Sequence, residues 1–525
     1  MQAATFVAMS NRVTPFRIFL LFATTIAILL GLIVAFPDGQ VTEELKFFSW
    51  EEVEHPGPKE YVDISEIIAK NEEPVEVDTL LAEEPVIRDT VQTDTLIIPP
   101  ADEVIAQYKI SYPEGFDTVL YPFFAALDEV RTEGQLIRIL HYGDSQVEGD
   151  RITAELRQKF HTNPNFGGCG PGILPIQDIL QGRLAVQQTA SDNWVKYSPP
   201  LTKEDWEPHN EYGILSHYYR YIPYPEPDTT SSDTLLSDLK APQDSLQNDS
   251  LPVVPDTTMA WVRYEKSNMG YKSTRLFQQY RVLYNNNELP LPMAVVMNDT
   301  DTVIQTLPQA QNFIQPTYAY KEKGYSSISF TFEATHSPDI YGIALDCQTG
   351  VAVDNIGLRG SAIADFSGMD RQNLARQLRM LNARLVVLQF GVNVVPHVID
   401  NYGYYERMYY RNLMALKKAA PGMPILVIGV SDMSRKEGLQ FESYPNIELI
   451  RNAQRNAAFK AGCAFWDLYE AMGGHNSMVS WVNNDPPLAA DDYTHFTARG
   501  SRIVGKMLYD AIIEEYYAYK QMDMP

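Results

Sequence analysis

Cysteine is scarce in this chain: there are three in 525 residues, Cys169, Cys347 and Cys463. They form no C-x-x-C, and the nine histidines show no clustered spacing with them, so neither a zinc site nor any other metal or cofactor is expected. An odd count leaves at least one thiol unpaired within the chain, and the pairing of the three stays open. Basic residues are outnumbered, 42 Lys and Arg against 67 Asp and Glu, and the formal charge of −25 excludes a general nucleic-acid role. The one glycine-dense run, F-G-G-C-G-P-G at 166–172, lacks the Lys-Ser/Thr ending and the preceding strand of a phosphate-cradling loop. It reads instead as a tight loop near the carboxyl edge of a sheet.

One apolar run is long enough to consider as a membrane span: residues 18–36 carry no charge, close to the roughly 20 residues needed to cross a bilayer core. Arg12 and Arg17 precede it and Glu43 and Glu44 follow, which orients residues 1–17 to the cytoplasm and the bulk of the protein outside it. No small-x-small cleavage site closes the run, so an uncleaved anchor is expected; a cleaved signal releasing a soluble periplasmic protein is the alternative. Residues 37–103 then read as a disordered, self-repelling tether in which short apolar bits such as 61–68 can form brief strands or a helix: from 41 to 103 there are 18 Asp and Glu against 4 Lys and Arg.

Beyond the tether the chain alternates between two patterns. Apolar strand-like segments at 136–140, 351–355, 384–390, 424–430 and 464–467 alternate with helical periodicity at 152–160, 371–381, 405–418, 447–460 and 497–518. A helix over 117–131 leads in. Near-continuous apolar strands separated by helices predict an α/β fold with a three-layer, doubly wound parallel sheet. Residues 184–337 break this rhythm with short period-two segments and Asn-rich turns, which predict an inserted all-β sandwich. Within it, residues 223–258 are rich in Pro, Asp, Ser and Thr and read as a disordered loop. The aromatics Trp194, Trp206, Tyr218, Tyr219 and Trp261 suit either a packed core or a sugar platform. The insert is therefore read as either a carbohydrate-binding module or a structural sandwich.

Chemistry concentrates in four short blocks. The first, L-I-R-I-L-H-Y-G-D-S-Q-V-E-G-D-R at 136–151, stops a strand at a Gly-Asp-Ser turn, which places Ser145 at a carboxyl strand end, where open α/β sheets bind ligands. The second and third, N-I-G-L-R-G ending at Gly360 and L-Q-F-G-V-N ending at Asn393, each close a strand-like run. The fourth, D-D-Y-T-H-F-T-A-R-G, sets Asp492 three residues before His495. A turn can then offer a carboxylate to one imidazole nitrogen while the other faces a nucleophile. Gln146 and Glu148 fall beside this constellation, and His141 reads as structural.

In this order the blocks resemble those of the SGNH (GDSL-type) hydrolases, over about 137–162 and again from 341 to near 519. The resemblance implies a flavodoxin-like hydrolase domain split into 104–183 and 338–525. It assigns Ser145 as nucleophile, His495 as base and Asp492 as its orienting acid. The backbone amides of Ser145 and Gly360 and the side-chain amide of Asn393 would form the oxyanion hole. The chain departs from the family pattern with Gln146 where G-D-S-L has leucine and Val394 where many members have aspartate. A hydrolase domain split by a β insert is similar to the bacterial peptidoglycan O-acetylesterases. The expected function is a membrane-anchored, extracytoplasmic serine esterase removing O-acetyl groups from an envelope polysaccharide, with peptidoglycan first. A polysaccharide O-acetyltransferase using the same triad and a non-catalytic glycan-binding protein on the same scaffold are the alternatives.

Overall fold

Five apolar segments form the sheet that positions everything else. In the computed structural model they are β1 (Leu136–Gly143), β2 (Gly350–Gly357), β3 (Ala383–Gln389), β4 (Ile425–Ile428) and β5 (Ala464–Trp466). They pair in parallel in the order β2-β1-β3-β4-β5, the doubly wound order expected of a flavodoxin-like sheet. The structure describes residues 15–35, 61–72, 108–178, 182–199, 209–222, 257–309, 317–319 and 324–522. It divides into Met1–Tyr61 and Val62–Pro525.

The two faces of the sheet follow from strand alternation. Ile137, Ile139, Val351, Val353, Leu385 and Val387 pack against helices Tyr121–Glu133, Arg151–Thr162 and Ala498–Met522. Leu140, Tyr142, Ile356, Val386 and Leu388 pack against Arg371–Met380, Gly403–Ala419 and Ile447–Lys460. The leading helix starts at Tyr121 rather than 117, with Pro122 in its first turn, where a missing N–H leaves no helical bond unmade.

Two expectations are corrected. Part of the acidic tether is ordered: Ser65–Asn71 is a helix, Ile64 and Ile67 are buried in the core beneath Ala498–Met522, and Ser480 Oγ donates to the Val62 carbonyl at 2.6 Å. Val62 and Ile68 pack beside these two isoleucines, and Glu72 pairs with Arg499 at 2.6 Å. The rest of the tether, and residues 223–256 of the expected disordered loop, lie outside the described residues. The glycine-rich loop, in turn, sits at the amino edge of the sheet, where the Gly167 carbonyl accepts from Val351 N at 3.1 Å. The helix after β1 runs back antiparallel to the strand, so the loop that follows it emerges opposite the Ser145 turn.

In Met1–Tyr61, Pro15–Ala35 forms a helix of 21 residues. Among the described residues no helix is long and apolar enough to cross a membrane.

Where the β insert is expected, two antiparallel sheets share a core that includes Trp194, Tyr219, Tyr284, Phe330 and Phe332. One contains Val186–Ala190, Thr258–Lys266, Leu291–Met297, Asp301–Leu307 and Ser327–Ala334; the other contains Trp194–Tyr197, Tyr218–Tyr221, Gln279–Asn285 and Thr317–Ala319. The second sheet also takes Gly172–Leu174 and Asp339–Asp346 from outside 184–337. Its Tyr218, Leu283 and Tyr341 pack into the α/β core, so it shares a hydrophobic face with the parallel domain. Trp194, Tyr218 and Tyr219 are buried and act as core; Trp206 lies outside the described residues.

A buried ion triad joins the two parts. Arg138 of β1 bonds both oxygens of Asp354 at 2.7 and 3.0 Å and also bonds Asp346, and Asp354 accepts from Ile173 N at 2.7 Å. All three ionised side chains have no exposed surface. Arg138→Met would strand two buried carboxylates and should lower unfolding free energy by about 3–5 kcal/mol in urea titration. The Cys169–Cys347 disulfide closes a separation of 178 residues across the same junction. Cys347→Ser should therefore destabilise by about 2–5 kcal/mol, a loss that reductant should reproduce in the parent protein. Cys463 is free and buried, its thiol pushed up to about 12 by burial and therefore unreactive.

Candidate active site

β1 ends where a side chain no longer fits. A Cβ on Gly143 would lie 2.2 Å from Val147 Cγ2 and 2.8 Å from the Gln389 carbonyl, so the glycine lets the chain turn tightly against β3. The Asp144 carbonyl then accepts from Val147 N and Glu148 N at 3.2 and 3.3 Å, and Ser145 stands half-buried on this turn. His141, one step inside, is buried with Nε2 3.1 Å from Gln389 Oε1. Burial holds its pKa down at about 4, so it remains a neutral structural ring.

The His495 loop is closed by its own acid. Asp492 Oδ1 accepts from the backbone N–H groups of Thr494 and His495, each at 3.0 Å, while Oδ2 accepts from His495 Nδ1 at 2.7 Å. Tyr493 between them takes a positive φ of 54° and stacks on Phe441 at 3.7 Å, and its carbonyl accepts from Ser434 N at 3.1 Å. With Nδ1–H on the carboxylate, Nε2 presents its lone pair, and it lies 2.7 Å from Ser145 Oγ. The structure thus brings together Ser145, His495 and Asp492 from positions 350 and 3 residues apart. Burial raises the Asp492 pKa, but the hydrogen bonds from His495 and Thr494 outweigh it and hold the carboxyl below its ordinary 3.8.

Gly360 and Asn393 lie on the loops after β2 and β3. Leu358 N donates to the Gly143 carbonyl at 2.7 Å, which ties the Gly360 loop to the end of β1. Gly360 is exposed in the left-handed region at φ +79. Asn393 Nδ2 donates to the Ser361 carbonyl at 3.0 Å, joining the two loops, and an amide has a second N–H to offer. Val394, in place of the family's aspartate, packs against the core. Glu148 is half-buried and faces Arg359 at 3.5 Å.

Several contacts around these residues escaped the sequence reading. Asp144 Oδ2 accepts from Gly391 N and Oδ1 from Gln146 N, both at 3.1 Å, and Asn355 Nδ2 donates to the Val147 carbonyl at 2.7 Å. Gln146 is buried, with its amide on Thr494 and Ser431. No local periodicity marks such contacts, because their partners come from other strand ends. Burial pushes Asp144 up to about 6 against these N–H bonds. A carboxyl raised above its ordinary 3.8 binds its proton more tightly folded than unfolded, so stability should fall as pH rises from 3.8 to about 6. Asp144→Asn should flatten that slope in urea midpoints measured across this window.

Among the described residues, His209, Glu211 and Asp339 are grouped closely enough to hold a metal. A guanidinium already supplies the positive charge there: Arg220 Nε donates to Asp339 Oδ1 at 2.5 Å, and Nη2 lies 3.0 Å from His209 Nε2.

Residues 326–503 match the GDSL-like lipase/acylhydrolase family. That range holds Gly360, Asn393, Asp492 and His495 but not Ser145, which the β insert separates from it in sequence. No curated protein matches the chain. Among solved structures, a peptidoglycan O-acetylesterase superposes with a TM-score of 0.54 at 19% identity, over 76% of this chain and 96% of its own. An acetyl xylan esterase, AlAXEase, aligns at 19% identity over 31% of this chain and 81% of its own, with a TM-score of 0.23. A family two carbohydrate esterase from Clostridium thermocellum aligns at 8% identity over 49% of this chain and 92% of its own, also with a TM-score of 0.23. Only the first bears on the fold.

Proposed function

From a chain that carries an SGNH-type serine hydrolase domain, we propose an esterase that removes O-acetyl groups from a cell-envelope polysaccharide, peptidoglycan before others. The observation that carries this reading is the 2.7 Å contact from Ser145 Oγ to His495 Nε2, with Asp492 behind the ring. His495 takes the hydroxyl proton as Oγ bonds to the ester carbonyl, and the carbonyl π pair moves onto oxygen. The tetrahedral oxyanion collapses, the C–O bond to the sugar breaks, and His495 returns the proton to the leaving hydroxyl. Water then repeats the cycle on the acetyl-enzyme, releasing acetate and free Ser145. Donors for the oxyanion are the amides of Ser145 and Gly360 and the Asn393 side chain, groups whose individual loss typically costs about 100- to 1,000-fold.

The choice of substrate is supported by the shared fold with a peptidoglycan O-acetylesterase and by the β sheets packed against the hydrolase domain. Side-chain exposures of 31% at His495 and 51% at Asp492 leave the base open to an incoming acceptor, which in this reading is water. The proposed uncleaved anchor at residues 18–36, with the enzyme outside the cytoplasm, rests on the sequence alone: Arg12 and Arg17 precede that uncharged run and Glu43 and Glu44 follow it. The Cys169–Cys347 disulfide suits an oxidising compartment such as the periplasm. Acetate release from O-acetylated peptidoglycan, with acetylated xylan and mannan alongside, tests the proposal. Faster release from either plant glycan would overturn the peptidoglycan assignment, and no release from any of the three would overturn the esterase.

A further inference from the structure

We propose that Gln146 is a positioning residue for this chemistry: its side-chain amide fixes the peptide that carries His495 and so sets the approach of the imidazole to Ser145. The inference rests on the reading of Ser145 and His495 as nucleophile and base.

Gln146 follows the nucleophile and is only 4% exposed. Its Nε2 donates to the Thr494 carbonyl and to Ser431 Oγ, each at 2.8 Å. The acceptor at Thr494 is a carbonyl, so the nitrogen must face it, and both amide protons are then committed. None is left to donate to substrate.

The Thr494 carbonyl and the His495 N–H belong to one planar peptide. On one side the N–H donates to Asp492 Oδ1 at 3.0 Å; on the other the carbonyl takes the Gln146 proton. The plane from which the imidazole projects is thus gripped from both sides, by its own acid and by the neighbour of the nucleophile. Ser431 extends the grip to the loop after β4, whose next residue, Asp432, accepts from Met478 N at 2.7 Å and Ser443 Oγ at 2.6 Å. Three strand ends meet at one amide. The leucine of a G-D-S-L turn would leave the Thr494 carbonyl, on a residue only 9% exposed, without this donor. Proton transfer needs the pair within about 2.6–3.2 Å, and misplacement by about 1 Å costs about 100-fold.

The test uses the purified protein and a small soluble acetyl ester, with fluorophosphonate labelling to count reactive Ser145. Gln146→Met keeps the shape and loses the donor. It should lower kcat by about 10- to 100-fold while KM stays within about threefold, with labelling slowed in parallel. Gln146→Glu keeps the length and turns the donor into an acceptor. It should be at least as impaired at pH 8 and partly recover as the pH is lowered and the new carboxyl gains a proton to donate. Asp144, Asp432, Asp492 and His495 are the titrating groups nearest that position, and each is present in Gln146→Met, which serves as the control for their shared effect. Wild-type kcat in Gln146→Met, or a change confined to KM, would overturn the inference. If that variant does not fold, absence of acid recovery in Gln146→Glu would overturn it. Failure of the parent protein to label or to cleave the ester would instead remove the nucleophile reading beneath it.

Discussion

Ser145→Ala should reduce turnover of a short acyl ester by at least about 10,000-fold, with thermal unfolding essentially unchanged. The size follows from the geometry: one hydroxyl lies 2.7 Å from the base, and without it neither the acyl-enzyme nor the proton shuttle can form. Residual catalysis would come from binding and oxyanion donors alone. The fold should survive because the turn is held by other groups: the Asp144 carboxylate on Gly391 N and Gln146 N, the Gly143 carbonyl on Leu358 N, and Asn355 on the Val147 carbonyl. None of these bonds uses the serine hydroxyl, and Ser145 is only half-buried. Unchanged turnover in the folded variant would mean that another nucleophile acts, and His495 would need a different partner.

The parallel sheet was legible because buried strands leave continuous apolar runs and their helices leave a 3.6-residue rhythm. The Ile447–Lys460 helix falls where its periodicity placed it. The site was legible for a different reason: each of its blocks pairs a strand end with a turn, and Asp492 and His495 form a local motif. What stayed hidden depends on distant partners. Gln146 finds its acceptors 285 and 348 residues away, and the disulfide joins two of three cysteines that no local pattern distinguishes. At Ser65–Asn71 the apolar residues were visible but their docking was not, since the burial of Ile64 and Ile67 depends on a surface formed elsewhere in the chain. The sheet boundary near 172–174 was missed because three residues carry too little period to detect.

Replacement within the Asp492–His495 pair should separate the two roles. His495→Ala should remove activity almost entirely, by about a million-fold, whereas Asp492→Asn should cost about 10,000-fold. The base itself moves the proton, while the acid orients the ring and stabilises its charged form. In Asp492→Asn the amide oxygen can still accept from the backbone N–H groups of Thr494 and His495, now made by Oδ1 at 3.0 Å. Its NH2 would then face Nδ1, a donor against a donor, which drives the ring proton to Nε2 and takes away the lone pair that Ser145 needs. The pH profile separates the pair further. Hydrogen bonds overcome burial to hold Asp492 below 3.8, so its carboxylate stays ionised well into acid. The pH profile of activity should therefore carry no limb belonging to Asp492 near neutral pH. Asp491→Asn should leave kcat within about twofold, because Asp491 is exposed and one residue out of phase with the three-residue spacing that closes the turn. Should Asp491→Asn prove the more damaging of the two, the acid that orients His495 is Asp491 and the loop closes one residue earlier.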